Sequence, residues 1–213
     1  MSGLRIFWNN KYIFSGTLIV SAITLLGVIG FFYHPYNPMA SFASNLPPSR
    51  LHILGTNFFG NDIWSQYLVG ILPTIEIGLA GALLGMVVAL FVGLLSGYAR
   101  GLKNEILTFF INVFLLIPGL PLAIVISSDL QASHANLGNL ALILVITITG
   151  WATGARTIRS QVLSLSSRDY ITFIKHTGES HLNIIFREIL PSLLSYVGYI
   201  FTNLVVFSII LET

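Results

Sequence analysis

Apolar residues in this 213-residue chain are gathered into five long stretches between charged positions. After Lys11 no charge appears until Arg50, and residues 12–33 of that gap are strongly apolar. Residues 77–99 lie between Glu76 and Arg100, 106–128 between Glu105 and Asp129, and 189–211 between Glu188 and Glu212. A fourth uncharged run covers 130–155 and is apolar from Leu140 onward. Each can supply the ~20 residues that a helix rising 1.5 Å per residue needs to cross ~30 Å of hydrocarbon. A membrane barrel would show short alternating segments instead. The pattern therefore predicts an all-α polytopic membrane protein, a single transmembrane domain over 1–213. Its spans fall at about 12–33, 75–98, 106–128, 139–156 and 191–211, with a first loop at 34–73 and a long loop at 157–190.

Composition agrees with that reading. Hydrophobic residues make up 54% and charged ones only 8%, against about 25% charged in soluble domains. With no cysteine there are no disulfides and no thiolate metal sites. The net charge of +2 gains meaning from its distribution. With the N-terminus in the cytoplasm, the inside carries Arg5, Lys11, Arg100, Lys103, Arg156, Arg159, Arg168, Lys175 and Arg187, and the outside only Arg50. Such an asymmetry fixes orientation in membrane proteins, so the basic balance is a topology signal and no nucleic-acid partner is expected. The first span, 22 residues long without a small-residue cleavage pattern, reads as an uncleaved anchor. By parity Thr213 is expected outside.

Within these spans three features stand out. Gly81, Gly85, Ala89, Gly93 and Gly97 place a small residue at every fourth position of the second span, a line along which another helix backbone can approach closely. Packing within the chain and a subunit interface both fit it. The third span contains Ile117-Pro118-Gly119-Leu120-Pro121, which must kink or break the helix. Glu76 either snorkels to the outer interface or marks a polar path. In the first loop, Pro35, Pro38, Pro47 and Pro48 predict irregular backbone, and the amphipathic Asp62–Leu72 stretch is expected to lie along the membrane surface.

Catalytic patterns are missing. There is no phosphate-cradling G-x-x-x-x-G-K-[ST], no H-E-x-x-H and no G-x-S-x-G. His176 and His181 stand five residues apart, about 140° around a helix, and read as solvated or interfacial. The 157–190 segment is more informative. Residues 166–178 read as a short helix, with Ser166 or Ser167 as N-cap, Asp169 in the first turn, Lys175 and His176 in the last, and Gly178 at C′. Tyr170, Phe173 and Ile174 form an apolar strip at i, i+3, i+4, and Leu182, Ile185, Phe186 and Ile189 form a second one before Pro191 opens the fifth span. So short a helix is marginal alone, so its apolar face needs its own bundle or a partner to bury it.

The run Gly150-Trp151, Ala155–Leu165, Arg168-Asp169-Tyr170-Ile171, Gly178 and Leu190-Pro191 resembles the permease subunits of ABC importers, and more narrowly the dipeptide, oligopeptide and nickel permease group. Gly178, Leu190 and Pro191 stand at the spacing of that group's cytoplasmic signature, whose Glu-Ala-Ala positions hold Thr172, Phe173 and Ile174 here. The first loop is similar too, through His52, Leu54-Gly55-Thr56, Gly60, Asp62, Ser65 and Gly70, with Asn57 where Asp is usual and Asn61 where Arg is usual. The resemblance covers about residues 50–212. It implies a transmembrane permease subunit forming a path with a second permease, driven by two cytoplasmic ATPases and fed by an extracytoplasmic solute-binding protein. ATP and magnesium would sit on the ATPases, and this chain, in the cell membrane, would carry no cofactor and no enzymatic activity. Asp169, Tyr170, Phe173, Ile174 and Gly178 would form the ATPase-coupling element, with peptides as the first substrate expectation and nickel or another small solute as the variant. Members of the group normally continue through one more span, so a shortened chain, and with it a non-transporting scaffold, stands as the alternative.

Overall fold

A computed structural model describes residues 10–132 and 138–212. Among these residues seven helices follow one another: α1 (Lys11–Phe32), α2 (Ile63–Tyr98), α3 (Leu102–Leu116), α4 (Gly119–Ala132), α5 (Gly138–Ser166), α6 (Asp169–His176) and α7 (His181–Glu212). Among the described residues the only β pairing is an isolated bridge between Thr56 and Asp62. Helices α1, α2, α5 and α7 are each long and apolar enough to cross a membrane, and α3 with α4 forms a bent pair that makes a fifth crossing if it is one span. The chain is an all-α, multi-pass membrane protein. Arg5, residues 133–137 of the predicted connection, and Thr213 lie outside the described residues.

Two compact units divide the chain, 1–75 and 76–213. In the first, the Asn10 side chain accepts from Tyr12 N (3.1 Å) and Ile13 N (3.3 Å), capping α1. That helix is apolar all round, as lipid contact requires, and buries only Gly27 and Gly30, where Ile71 and Leu68 pack. The loop between α1 and α2 is a hydrogen-bonded knot. Phe42 N donates to Gly60 O (2.8 Å), Thr56 N to Leu46 O (3.1 Å) and Asn45 N to Asn57 O (3.1 Å). Gly60 has a φ of +81°, and a Cβ there would strike the Phe42 carbonyl. At its centre His52 packs between Tyr36 and Phe42, with ring centroids 5.1 and 4.7 Å away. Its Nδ1 lies 2.8 Å from Asp62 Oδ2, while Asp62 Oδ1 accepts from Ser65 N at 2.8 Å.

That Asp62 cap starts α2, which corrects the expectation of a surface-lying Asp62–Leu72 segment. These residues are the first turns of a 36-residue helix that runs on through Pro73 into the predicted 75–98 span. The cap satisfies the first turn, and the apolar run beyond it leaves no reason to stop.

In the second unit α5 is the central helix, packing against α3, α4, α6 and α7. The later part of α2 lies against it as well. A Cβ on Gly93 would come within 2.7 Å of Ile158 Cβ, and one on Gly97 within 2.6 Å of Val162 Cβ. Gly154 on α5 receives Ile200 of α7 and Ala89 of α2 at 3.0 and 3.1 Å from its Cβ direction. The core built this way contains Ala82, Ala89, Ala155, Ile158 and Val162, all fully buried.

Three predicted boundaries move. The 106–128 span is broken after Leu116, and the pieces bend by 76°. Ile117, preceding Pro118, takes the extended conformation that proline imposes on its neighbour (ψ 118°). The 139–156 span continues helically to Ser166, so most of the 157–190 loop is helix: only 167–168 and 177–180 interrupt it. Pro191 does not open a new helix, because α7 runs continuously from His181. A π-helical stretch, Ile184–Ile189, precedes the proline, and Leu190 N–H donates to Ile185 O. The wider turn eases the clash that Pro191 would make with the carbonyl of Arg187 in a regular helix.

Candidate functional site

The α5–α6–α7 turn contains every residue of the predicted coupling element. The N-cap of α6 is Arg168, in extended conformation and without a side-chain cap bond. This corrects the expected serine cap: Ser167 Oγ donates back to Ser164 O at 2.9 Å, and Ser166 Oγ is buried without a hydrogen-bond partner. The helix has eight residues, about two turns, shorter than the predicted 166–178. Asp169 lies in its first turn and Lys175 and His176 in its last. Thr177 Oγ1 donates to Ile174 O (2.7 Å), and Gly178 then turns the chain with a φ of +83°. Nothing lies within 4 Å of a Cβ built on Gly178, so the glycine serves backbone conformation alone. Ser180 caps α7 through Asn183 N at 3.2 Å.

The strip on α6 splits between two faces. Ile171, which the i, i+3, i+4 pattern from Tyr170 passes over, is 0% exposed and sits in the core of the second unit, with Ile174 packed beside it. Tyr170 is 41% and Phe173 69% exposed. On the first turns of α7, Leu182 and Phe186 are exposed as well. The helix is thus anchored by isoleucine and presents aromatic groups outward.

Of the glycine line on α2, a Cβ on Gly81 would come within 2.7 Å of Ile146, and one on Gly93 or Gly97 within 2.9 Å of the carbonyl of Ala155 or Arg159 on α5. Gly85 is looser: a Cβ there would meet only Leu204 of α7, at 3.9 Å. Glu76 is exposed.

Sequence reasoning passed over a second feature, a cavity of about 370 Å³ where α3 breaks. Ile117 and Gly119 form one wall, Thr149, Thr153 and Thr157 of α5 another, and Tyr199 and Asn203 of α7 a third. The threonines recur every fourth residue and so line one helix face, a polar periodicity visible in the sequence. Thr149 Oγ1 donates to Val145 O (2.9 Å), Thr157 Oγ1 to Thr153 O (3.1 Å) and Asn203 Nδ2 to Tyr199 O (2.8 Å). The hydroxyl donors of Thr149 and Thr157 and one amide N–H of Asn203 are therefore occupied within the helices, so oxygen lone pairs make up much of the cavity's polar character. Nearby, Arg156 donates to Asn112 Oδ1 at 2.8 Å and Arg159 to Asn104 Oδ1 at 3.0 Å, tying α5 to α3 through neutral partners.

Residues 85–213 match the model of a family described as the binding-protein-dependent transport system inner membrane component. The chain is 29% identical over 188 residues to the oligopeptide transport system permease protein OppC of Bacillus subtilis, covering 87% of this chain and 60% of that protein. It is also 29% identical over 186 residues to the dipeptide transport system permease protein DppC of the same organism, covering 86% and 57%. With the glutathione transport system permease protein GsiD of Pectobacterium atrosepticum it shares 31% over 166 residues, covering 78% and 54%. The chain thus spans somewhat over half the length of these relatives. The matched region holds the later part of α2, the broken α3–α4 pair, the α5–α6–α7 turn and the cavity, and this chain belongs to the family of inner membrane components of binding-protein-dependent transport systems.

Proposed function

We propose that this chain is a permease subunit of an ATP-driven importer of dipeptides or oligopeptides. The observation that carries the reading is the α6 turn, a two-turn helix anchored by Ile171, ended by the left-handed Gly178 and presenting Tyr170 and Phe173. An aromatic knob on a firmly seated helix suits a groove in a partner, and aromatic groups dominate the energetics of such contacts. Two cytoplasmic ATPases would receive this helix and its counterpart on a second permease, with an extracytoplasmic binding protein delivering substrate. The orientation comes from the lysine and arginine asymmetry, with the N-terminus and the turn inside. The names of the relatives point to peptides, and the cavity fits them. Hydroxyl and amide oxygens at Thr149, Thr153, Thr157 and Asn203 offer acceptors to neutral N–H groups without a fixed charge.

The test is co-purification of the chain with the ATPases and the second permease, followed by peptide-stimulated ATP hydrolysis. Phe173→Ala should weaken ATPase association at least tenfold, a cost of about 1.4 kcal/mol or more, with normal membrane insertion. Retention of the ATPases at wild-type affinity by Phe173→Ala and by Gly178→Val would refute the coupling role.

A further inference from the structure

Close to the α6 turn lies a pocket of about 480 Å³ at the ends of α2, α3, α6 and α7. Four basic residues line it, Arg100, Lys103, Lys175 and His181, together with Tyr98. None of the four is ion-paired among the described residues. No acidic residue lines it, and Glu179 accepts from Asn183 Nδ2 at 2.7 Å.

Its walls are held in place. Lys175 Nζ lies 5.0 Å from the Tyr98 ring centroid and 3.5 Å from Ser166 O. The Tyr98 hydroxyl is 3.0 Å from His181 Nδ1, and the two rings meet edge to face at 5.5 Å. Half-burial, and then the neighbouring Arg100 guanidinium, hold the Lys175 ammonium below its ordinary pKa, as expected of a cation with no counter-ion. The other side of the pocket is apolar, with Leu95, Leu182 and Ile185.

We infer that this pocket binds the headgroup of an anionic phospholipid, with the phosphate among Arg100, Lys103, Lys175 and His181 and the start of an acyl chain along Leu95, Leu182 and Ile185. Charge complementarity decides the sign of the ligand, since basic side chains without counter-ions gain from an anion, and Lys175, the one of the four that is not exposed, gains most. The apolar wall decides between a lipid and a free phosphate, which has no use for leucine. Position agrees: Leu95 and Tyr98 belong to the last turn of the apolar α2, and tyrosine at a span's end marks headgroup depth. The site is separate from the exposed Phe173 surface and does not depend on the coupling role.

The experiment uses the purified full chain, delipidated in detergent and then offered equal phosphatidylglycerol and phosphatidylcholine with the same acyl chains. Native mass spectrometry reads which lipid stays. The wild type should retain phosphatidylglycerol preferentially. Lys175→Gln and Arg100→Gln should each lower that preference about fivefold, the factor for about 1 kcal/mol per basic side chain near an anionic surface. Lys175→Arg should keep it, and Arg187→Gln, exposed outside the pocket, should leave it unchanged. Lys103→Gln, on an exposed residue with little bearing on folding, provides the same test where another variant fails to fold. An equal lipid ratio in wild type and variants would overturn the assignment. So would displacement of the bound lipid by millimolar glycerol phosphate alone, which would make the ligand a soluble anion. Loss of ATPase binding in Lys175→Gln with lipid preference intact would assign the cluster to a protein partner instead.

Discussion

The loop between α1 and α2 and the turn between α5 and α7 are both non-spanning and rich in polar groups, yet they are finished in opposite ways. In the loop, Asp62 is 1% exposed and uses both carboxylate oxygens, while His52 is enclosed by aromatic rings. In the turn, the N-cap Arg168 makes no side-chain cap bond, Phe173 stands in the open, and Lys175 has no counter-ion among the described residues. The loop holds its shape by satisfying itself. The turn is seated mainly by Ile171 and Ile174 and turned by Gly178, and it leaves Tyr170 and Phe173 outward.

The contrast is sharpest at the two aspartates. Asp62→Ala removes a helix cap and strands the buried His52 ring, and should cost about 3 kcal/mol of local stability. Hydrogen exchange at the Thr56 and Asn57 amides reads that loss directly. Asp169→Ala should change exchange in α6 by no more than about 0.5 kcal/mol; an effect as large as that of Asp62→Ala would break the comparison.

Next come the two left-handed glycines. Gly60→Asn and Gly178→Asn put the same tolerated conformer at each site, but only Gly60 has a carbonyl where the Cβ must go. Asparagine should therefore be accepted at 178 within about 0.5 kcal/mol, whereas at 60 it should cost about 2 kcal/mol. Comparable melting temperatures for the two variants would contradict this.

A smaller effect is expected from acid. Burial alone would raise the Asp62 pKa, but hydrogen bonds from Ser65 and His52 outweigh it and leave the carboxyl below its ordinary value of 3.8. A depressed folded pKa gives stability that is complete above the unfolded value and disappears as pH falls through the folded one. Protection of the loop amides should thus hold from neutral pH to about 4 and fall below it. Asp62→Asn should remove that dependence. Smallest of all, Phe173→Ala should alter the melting temperature of the isolated chain by less than about 1 °C, since a side chain 69% exposed has little to lose.

The spans were legible in the sequence because lipid imposes one rule on every residue of a crossing helix, and runs between Lys11 and Arg50 or Glu188 and Glu212 obey it. The break at Pro118 and the turn at Gly178 were legible for a similar reason, since proline and glycine act on the backbone where they stand. Helix lengths were harder. Asp62–Leu72 and Arg156–Ser166 carry polar residues that end a hydropathy run without ending a helix, because caps and neighbours, not apolarity, decide where the backbone stops. Ile171 was missed because periodicity shows that a helix has an apolar face but not which side the bundle takes. The cavity was missed because it joins α3, α5 and α7, and a single-chain pattern records one helix at a time.

The π-helical stretch before Pro191 has a consequence in angular phase. A turn of this kind amounts to one surplus residue in the count of a helix, so the segment preceding it is rotated relative to regular continuation. Removing one residue from Ile184–Ile189 would restore the usual pitch with the flanks in the same phase, whereas winding all the present residues as a regular α-helix would swing His181, Gly178 and all of α6 by about 100° around the axis of α7. No side chain on α6 would change, yet Phe173 would face a new direction. The bearing of the aromatic knob is therefore written partly as a number of residues.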